Sequence, residues 1–305
     1  MPGLLNKKRQ LISTVWLGLL LAGCANHINA PEQAIDLEHT DYSVRKDIVF
    51  SPADWPQTLK ADLYLPDGEQ TRPAVLMVHG GGWERRSRQD MNWIAEHLTA
   101  HGIAVMNIDY RFAPEFQFPA QLHDLQIAMH WLRGHAAELK IDPDRVGGFG
   151  FSSGAHLVSL LATLAGEGGE LNEPHGGPET RLEAIVAGGL PSDLRTFGSG
   201  KLLRQFLGGT RADMPDVYRA ASPVTHVTEQ TPPFFLFHGG MDTLVPTEQA
   251  TDFRALLEAN GVENELYILR FRGHITSFLT SGDAVDEATV FLVRHLGASS
   301  KKVKD

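Results

Sequence analysis

The chain has 305 residues, of which 42% are hydrophobic and 21% are charged, and its formal net charge is −10 at pH 7. These proportions are typical of soluble globular proteins, and they exclude a disordered chain, a collagen-like fibre and a polytopic membrane protein. Because an acidic chain repels phosphate backbones, no nucleic acid partner is expected. The single cysteine excludes an intramolecular disulfide and a cysteine-based zinc cluster.

The first 24 residues have the pattern of a secretion signal. Three basic residues precede an apolar run from Leu11 to Ala22, which is too short to span a bilayer comfortably. The run ends in Leu21-Ala22-Gly23-Cys24, and this quartet resembles a bacterial lipoprotein lipobox. The resemblance implies that residues 1–23 are a signal peptide and that the Cys24 sulfur carries a diacylglycerol anchor. The alternative is an ordinary secretory signal with a chance cysteine.

The lipobox resemblance also implies a location in the cell envelope. The domain would lie outside the cytoplasm and be held to a bacterial membrane by the lipid at Cys24. Ala25 follows the cysteine where inner-membrane lipoproteins carry aspartate, so the analogy favours the outer membrane. Residues 24–43 lack clear periodicity and are interpreted as a tether that lifts the domain off the membrane. Residues 299–305 are interpreted as a basic, solvated tail.

From residue 44 onward, strand patterns alternate with helix patterns. The predicted strands are Val44–Phe50, Leu59–Leu65, Pro73–Val78, Ile103–Ile108, one that ends near Gly150, Ala184–Gly188, Phe234–Phe237 and Glu265–Leu269. Helical spacing of apolar residues predicts helices near 91–98, 122–132, 154 onward, 253–260 and 285–296. This alternation predicts one α/β domain over residues 44–298, with a mostly parallel sheet covered by helices on both faces.

Two features depart from the alternation. No helix separates the first two strands, so these strands are expected to pair antiparallel. The glycine-rich stretch Gly166–Thr180 is interpreted as a loop or a partial lid.

A serine stands in a strand–turn–helix context that suits a nucleophile. The pentapeptide Gly150-Phe151-Ser152-Ser153-Gly154 lies between an apolar strand and an apolar helix. Glycines two positions before and after Ser152 let the chain turn sharply and expose the hydroxyl group. The pentapeptide alone is a weak signal, and a capping serine is the simpler interpretation. Its context and its companion motifs favour a nucleophile.

A second glycine-rich segment predicts a site for a developing negative charge. His79-Gly80-Gly81-Gly82-Trp83 directly follows a predicted strand, and adjacent glycines let backbone N–H groups converge on one point. No Lys-Ser/Thr pair follows, which excludes a P-loop. The predicted oxyanion donors are the N–H groups of Gly81, Gly82 and Ser153. His79 is interpreted as orienting this loop.

Two further strands end in candidate catalytic side chains. Asp242 follows the strand Phe234–Phe237, and His274 follows the strand Glu265–Leu269. Because parallel strands end at the same edge of a sheet, Ser152, Asp242 and His274 are expected to meet there. The histidine would take the serine proton, and the aspartate would fix the histidine tautomer. Asp193, in the loop after Ala184–Gly188, is the alternative acid.

These motifs together resemble those of α/β-hydrolase esterases, near the hormone-sensitive-lipase-like and small carboxylesterase branches. The segment Asp109-Tyr110-Arg111-Phe112-Ala113-Pro114-Glu115 resembles the DYRLAPE segment of that group, where it is a structural turn after a strand. The resemblance covers roughly residues 45–297. It implies the α/β-hydrolase fold and ester hydrolysis. The sequence lacks the long N-terminal helical cap of the larger relatives, which implies a more open cleft.

The expected activity is hydrolysis of carboxylic esters, with short acyl or acetyl groups, through an acyl-enzyme on Ser152. The expected partner is a small ester substrate, with no metal and no cofactor, since neither metal-ligand spacing nor a dinucleotide fingerprint is present. The oligomeric state is left open. Candidate pocket side chains flank the motifs: Trp83, Phe112, Phe151, Met241, Leu244 and Phe278. Two alternatives remain, an amidase, formamidase or aminopeptidase with the same triad, and a non-catalytic lipoprotein that only binds a ligand.

Overall fold

The computed structural model describes residues 25–31, 35–165, 168–198, 200–297 and 300–302. The predicted signal peptide and Cys24 lie outside these residues. The strands are β1 (Ala25–Ile28), β2 (Ile35–Leu37), β3 (Tyr42–Val49), β4 (Lys60–Pro66), β5 (Arg72–Val78), β6 (Ala104–Ile108), β7 (Ile141–Phe151), β8 (Ile185–Gly188), β9 (Phe234–Gly239), β10 (Asn264–Leu269) and β11 (Ser300–Lys302). The helices are α1 (Asn92–Ala100), α2 (Ala120–Gly134), α3 (Ala136–Leu139), α4 (Ser153–Leu164), α5 (Lys201–Leu207), α6 (Pro215–Ala220), α7 (Glu248–Ala259), α8 (His274–Leu279) and α9 (Gly282–Leu296).

Nine strands form one twisted sheet in the order β1-β10-β9-β8-β7-β5-β6-β4-β3. The six strands from β10 to β6 are mutually parallel, and β1, β4 and β3 add antiparallel edges. The antiparallel pairing predicted for the first two strands of the domain is confirmed as β3 with β4. All six parallel strands therefore end at one edge of the sheet, which we call the catalytic edge.

Buried side chains alternate across the sheet and form a core on each face. Along β5, for example, Ala74, Leu76 and Val78 point to one face, and Val75 and Met77 point to the other. Helices α2, α4 and α7 cover the first face, and helices α1 and α9 cover the second. Burial on both faces explains why these strands are continuous apolar runs. The predicted α/β fold is confirmed.

Short strands occur within the predicted tether and tail. Residues 25–28 form β1, which pairs antiparallel with β10 at the edge of the main sheet. Ser300–Lys302 pairs antiparallel with Ile35–Leu37 in a separate two-stranded sheet. Side-chain patterns missed both pairings because short edge strands are held by backbone hydrogen bonds, which need no apolar periodicity.

The described part of the glycine-rich stretch lies away from the cavity at the catalytic edge. Residues 168–180 contain two short 3-10 turns, and the stretch packs beside α2, where Gln126 Nε2 donates to the carbonyl oxygen of Leu171. None of its described residues lines the cavity at the catalytic edge. A different segment, between β8 and β9, approaches that edge and carries α5 and α6, which the sequence did not predict. On α5, Leu202 lies against Gly82, and Phe206 stacks on Trp83.

No helix among the described residues is long and apolar enough to cross a membrane.

Candidate active site

Ser152 stands on a strained turn between β7 and α4. Its backbone has φ 54° and ψ −120°, which is sparsely populated for a residue with a side chain. The turn is tight because Gly150 and Gly154 contact each other directly, and a Cβ on Gly154 would also overlap the carbonyl oxygen of Val78. The hydroxyl group is thereby directed into a cavity at the catalytic edge. This is the geometry of a nucleophile elbow.

The three side chains predicted to meet do so in the structure. His274 Nε2 lies 2.9 Å from Ser152 Oγ, and His274 Nδ1 lies 2.6 Å from Asp242 Oδ2. Asp242 follows β9, and His274 begins α8 after β10, so all three come from the carboxyl ends of parallel strands. Ser152 Oγ can donate to Nε2 only when His274 carries its proton on Nδ1, facing the aspartate.

Asp242 is held as a carboxylate. Its Oδ1 accepts hydrogen bonds from the backbone N–H groups of Leu244 (2.9 Å) and Val245 (2.8 Å), while Oδ2 faces His274. Burial by itself raises the pKa of Asp242, but the hydrogen bonds from His274 and Val245, together with charge interactions, outweigh it and hold the pKa below its usual value. The acid therefore stays ionised while it orients the histidine.

The alternative acid, Asp193, is engaged elsewhere. Both of its carboxylate oxygens bind the guanidinium group of Arg195, at 2.8 Å and 2.9 Å. Its backbone N–H donates to Gln249 Oε1. The structure brings Asp242, and not Asp193, to His274.

A buried histidine also lies beside the acid. His238 Nε2 donates to the carbonyl oxygen of Val245 (2.9 Å) and lies 3.5 Å from Asp242 Oδ2. Burial lowers the pKa of His238, so it stays neutral and adds no charge beside Asp242. The proximity of His238 to the acid depends on the turn between β9 and α7, so only the structure reveals it.

The predicted oxyanion residues lie beside the serine. Gly80, Gly81 and Gly82 line the same cavity as Ser152 and His274. Gly81 and Gly82 have φ values of +125° and +65°, which other residues rarely adopt. Ser153, almost completely buried, begins α4 directly after the nucleophile candidate. The loop is backed by His79, which stacks on Tyr110 at 4.6 Å and whose Nδ1 donates to the carbonyl oxygen of Gly80 (2.6 Å).

The cavity has a volume of about 350 Å³, and both apolar and charged side chains line it. Of the predicted pocket side chains, Phe151, Leu244 and Phe278 line it. Trp83 instead packs in the interior, Phe112 is half-buried against the core, and Met241 is exposed outside the cavity. The sequence missed six lining residues: Arg85, Arg86, Asp90, Trp93, Ile275 and Leu279. They lie at most ten residues from the motifs in the sequence, but only the fold shows that they converge.

The segment that resembles DYRLAPE is a structural element. Arg111 binds Asp124 on α2 through its Nε (2.7 Å), and Asp109 accepts hydrogen bonds from Arg88. Arg111 and Asp109 thus fasten the chain after β6 through two different partners. Among the described residues, no group of three or more His, Cys, Asp or Glu side chains is arranged to hold a metal ion.

Comparison with known proteins identifies the family. The family model BD-FAE matches residues 61–257, which is more than half of the chain. The chain belongs to the BD-FAE family. Its fold is that of the α/β-hydrolase esterases, as the sequence predicted.

Named relatives agree with this assignment. Esterase LipC of Mycobacterium tuberculosis is 30% identical over 233 residues, which is 73% of this chain and 57% of LipC. The chain thus spans little more than half the length of this relative. Among solved structures, a bifunctional GH43-CE protein of Bacteroides eggerthii has 27% identity and a TM-score of 0.73 over 83% of this chain and 38% of its own. An acetyl ester-xyloside bifunctional hydrolase from Caldicellulosiruptor lactoaceticus has 25% identity and a TM-score of 0.66, over 85% and 96% of the two chains.

Proposed function

We propose that this BD-FAE protein is a serine esterase that hydrolyses carboxylic esters. The observation that carries the proposal is the pair of hydrogen bonds that links Ser152 Oγ to His274 and His274 to Asp242, at the wall of an open cavity. The esterases among its relatives support the same reaction class.

In the proposed reaction, His274 Nε2 takes the proton of Ser152 as the hydroxyl oxygen attacks the ester carbonyl carbon. The N–H groups of Gly81, Gly82 and Ser153 stabilise the oxyanion of the tetrahedral intermediate. The alcohol leaves with the proton from His274, and an acyl-Ser152 ester remains. Water, deprotonated by His274, then attacks the acyl-enzyme and releases the acid, and Ser152 regains its proton.

We further propose short acyl or acetyl esters as substrates. The volume of the cavity is small for an acyl chain of many carbons. The apolar side chains that line it are partly exposed to solvent. A structural relative named an acetyl ester-xyloside bifunctional hydrolase supports the acetyl group as one such substrate.

The first test is hydrolysis of p-nitrophenyl acetate by the full chain and by Ser152→Ala. We expect the variant to lose at least about 10³-fold in kcat, since only the hydroxyl group can form the acyl-enzyme. Ser159→Ala is the matched control, because Ser159 is buried on the same helix α4 and its Oγ has no hydrogen-bond partner among the described residues. Activity retained in Ser152→Ala would contradict the proposal.

Two extensions separate the alternatives. A p-nitrophenyl series from acetate to palmitate is expected to show decreasing kcat/KM with chain length, and a preference for palmitate would overturn the short-chain assignment. Turnover of p-nitroanilides in place of esters would favour the amidase. Failure of the folded protein to react with a fluorophosphonate probe would favour the ligand-binding lipoprotein.

The envelope location is a separate proposal. We propose that Cys24 carries a lipid anchor, because the only cysteine ends the apolar run in a lipobox-like quartet. Bacterial cells that express the chain with an alkyne-palmitate label should yield a labelled protein, and Cys24→Ala should not be labelled. An unlabelled parent chain would contradict the anchor.

A further inference from the structure

Exposed apolar side chains gather around the mouth of the cavity. Six of the eight large apolar side chains exposed among the described residues lie there, and we call them the mouth patch: Trp93, Met241, Leu244, Phe271, Ile275 and Leu279. Trp93, Leu244, Ile275 and Leu279 line the cavity itself. The turns that carry the other two are joined, since the N–H group of Met241 donates to the carbonyl oxygen of Arg272. All of the patch except Trp93 is more than half exposed.

A patch of this kind marks an interaction surface, because water-exposed apolar groups are unfavourable unless they are covered. Substrate in the small cavity would reach the lining members, but it would not cover Met241 or Phe271. We therefore expect a larger apolar partner to cover Met241 and Phe271.

The path of the chain shows which partner lies at this edge. Strand β1 runs antiparallel to β10, and Ala25 stands opposite Leu269, the last residue of β10. The N-terminal end of β1 therefore lies at the catalytic edge, two residues away from Phe271 in the register of the sheet. Cys24, the residue proposed to carry the lipid anchor, directly precedes Ala25 in the sequence. Because Ala25 is the first residue of β1, the chain offers no spacer between Cys24 and the sheet.

The turn after β10 presents basic side chains beside the mouth patch. The chain as a whole is acidic, yet exposed Arg85, Arg86, Arg270 and Arg272 flank the mouth. Arg85 and Arg86 have acidic neighbours in Glu84 (3.7 Å) and Asp90 (3.8 Å), so the favourable charge comes mainly from the turn after β10. Basic residues beside exposed aromatic and aliphatic ones are typical of surfaces that bind anionic lipid.

We propose that the catalytic edge docks against an anionic lipid bilayer, with Phe271, Ile275 and Leu279 inserted at the headgroup level. In this orientation the mouth of the cavity opens onto the membrane surface, and a lipid on Cys24 would enter the same bilayer that the mouth patch contacts. The surface belongs to the domain and does not require a lipid on Cys24.

The test measures which end of the domain meets the membrane. The full chain carries Cys24→Ser, and a single thiol for a nitroxide label is introduced by Phe271→Cys. The matched control is Gln70→Cys, because exposed Gln70 lies in the turn between β4 and β5 at the opposite edge of the sheet. Each labelled protein is bound to vesicles of phosphatidylcholine and phosphatidylglycerol in a ratio of about 7:3.

Oxygen partitions into the bilayer, whereas a polar nickel chelate stays in water. We expect the accessibility of the nitroxide to oxygen, divided by its accessibility to the nickel chelate, to rise several-fold at position 271 when vesicles are added. The same ratio should stay unchanged at position 70. A label at Thr243, an exposed residue within the Met241–Leu244 turn, repeats the measurement if Phe271→Cys does not fold. The proposal is overturned if the 271 and 243 labels stay accessible to the nickel chelate on membrane-bound protein, if position 70 is the protected one, or if no protein binds the vesicles. None of these readouts depends on esterase activity, so a failure here is distinct from a failure of the proposed reaction.

Discussion

At the scale of single residues, the two carboxylate oxygens of Asp242 have different roles in the candidate site. Oδ1 of Asp242 is fixed by two backbone N–H groups, and only Oδ2 is left to accept from His274. This arrangement allows one orientation of the carboxylate and one tautomer of the histidine. The residue types at 152, 242 and 274 are evident in the sequence, but the choice of Asp242 over Asp193 depends on the partners each one has.

Replacement of Asp242 by asparagine tests this arrangement. The amide oxygen is expected to keep the bonds from Leu244 and Val245, which turns the NH₂ group toward His274 Nδ1. His274 then carries its proton on Nε2 and cannot accept the proton of Ser152. We expect kcat for p-nitrophenyl acetate to fall about 10³–10⁴-fold in Asp242→Asn. Asp193→Asn should stay within a few-fold of the parent, and the reverse ranking would assign the acid to Asp193.

A buried histidine behind the site predicts how stability depends on pH. His156 is fully buried, its Nδ1 accepts from Trp83 Nε1 (3.3 Å), and its Nε2 donates to the carbonyl oxygen of Ala221 (2.7 Å). Burial lowers its pKa to about 4. Because the unfolded chain binds this proton more readily, folded-state stability is lost as pH falls from about 6.5 toward 4, by about 3 kcal/mol.

The measurement compares urea unfolding of the parent and His156→Gln between pH 7 and pH 4. Glutamine does not titrate, so the variant should be less stable at pH 7, and its deficit should shrink by about 3 kcal/mol at pH 4. His39→Gln, at an exposed histidine, should give a curve parallel to the parent. A constant deficit in His156→Gln would show that this histidine does not cause the acid sensitivity.

At the scale of elements, the strand–turn–helix unit around Ser152 is the part that the sequence predicted best. Its glycines, the apolar strand before it and the apolar helix after it are local features, and local features are visible in sequence. Helices α5 and α6 were missed because they are short and because their burial depends on contacts with the glycine loop, such as Phe206 on Trp83. Seven or fewer residues give too little periodicity to identify a helix.

The elbow predicts a sharp difference between two glycines. A Cβ at Gly154 would overlap the carbonyl oxygens of Val78 and His79, whereas a Cβ at Gly134, in α2, would meet nothing within 4 Å. We expect Gly154→Ala to lower the free energy of unfolding by about 3 kcal/mol or more, with loss of activity. Gly134→Ala should be neutral or stabilising by up to about 1 kcal/mol. Equal effects in thermal unfolding would contradict this account of the elbow.

At the scale of the whole molecule, the sheet is completed by strands that lie outside the alternating pattern. Strand β1 covers the edge of β10, and His27 Nε2 binds Glu265 Oε2 (2.7 Å), whose side chain is otherwise nearly inaccessible. Arg294 on α9 binds the other carboxylate oxygen. The N-terminal residues of the domain therefore contribute to its stability. They also place the start of β1 at the catalytic edge.

Removal of β1 should weaken the entire domain. A chain that begins at residue 32 would leave the backbone of β10 unpaired at an exposed edge and Glu265 without His27. Compared with a chain that begins at Ala25, we expect Tm to fall by about 5 °C or more, with a greater tendency to aggregate. His27→Gln, which removes the ion pair and keeps the strand, should cost less. An unchanged Tm on truncation would favour the prediction that residues 25–31 act as a tether.

The sequence by itself determined the α/β fold, the parallel centre of the sheet, and the three side chains that could meet at its edge. These features follow from local apolar periodicity and from the rule that parallel strands end together. Only the tertiary structure decided the partner of His274, the cavity walls, the pairing of β1 with β10 and the collection of exposed apolar groups around the mouth. Each of these depends on contacts between residues far apart in the chain, and such contacts leave no periodic trace in the sequence.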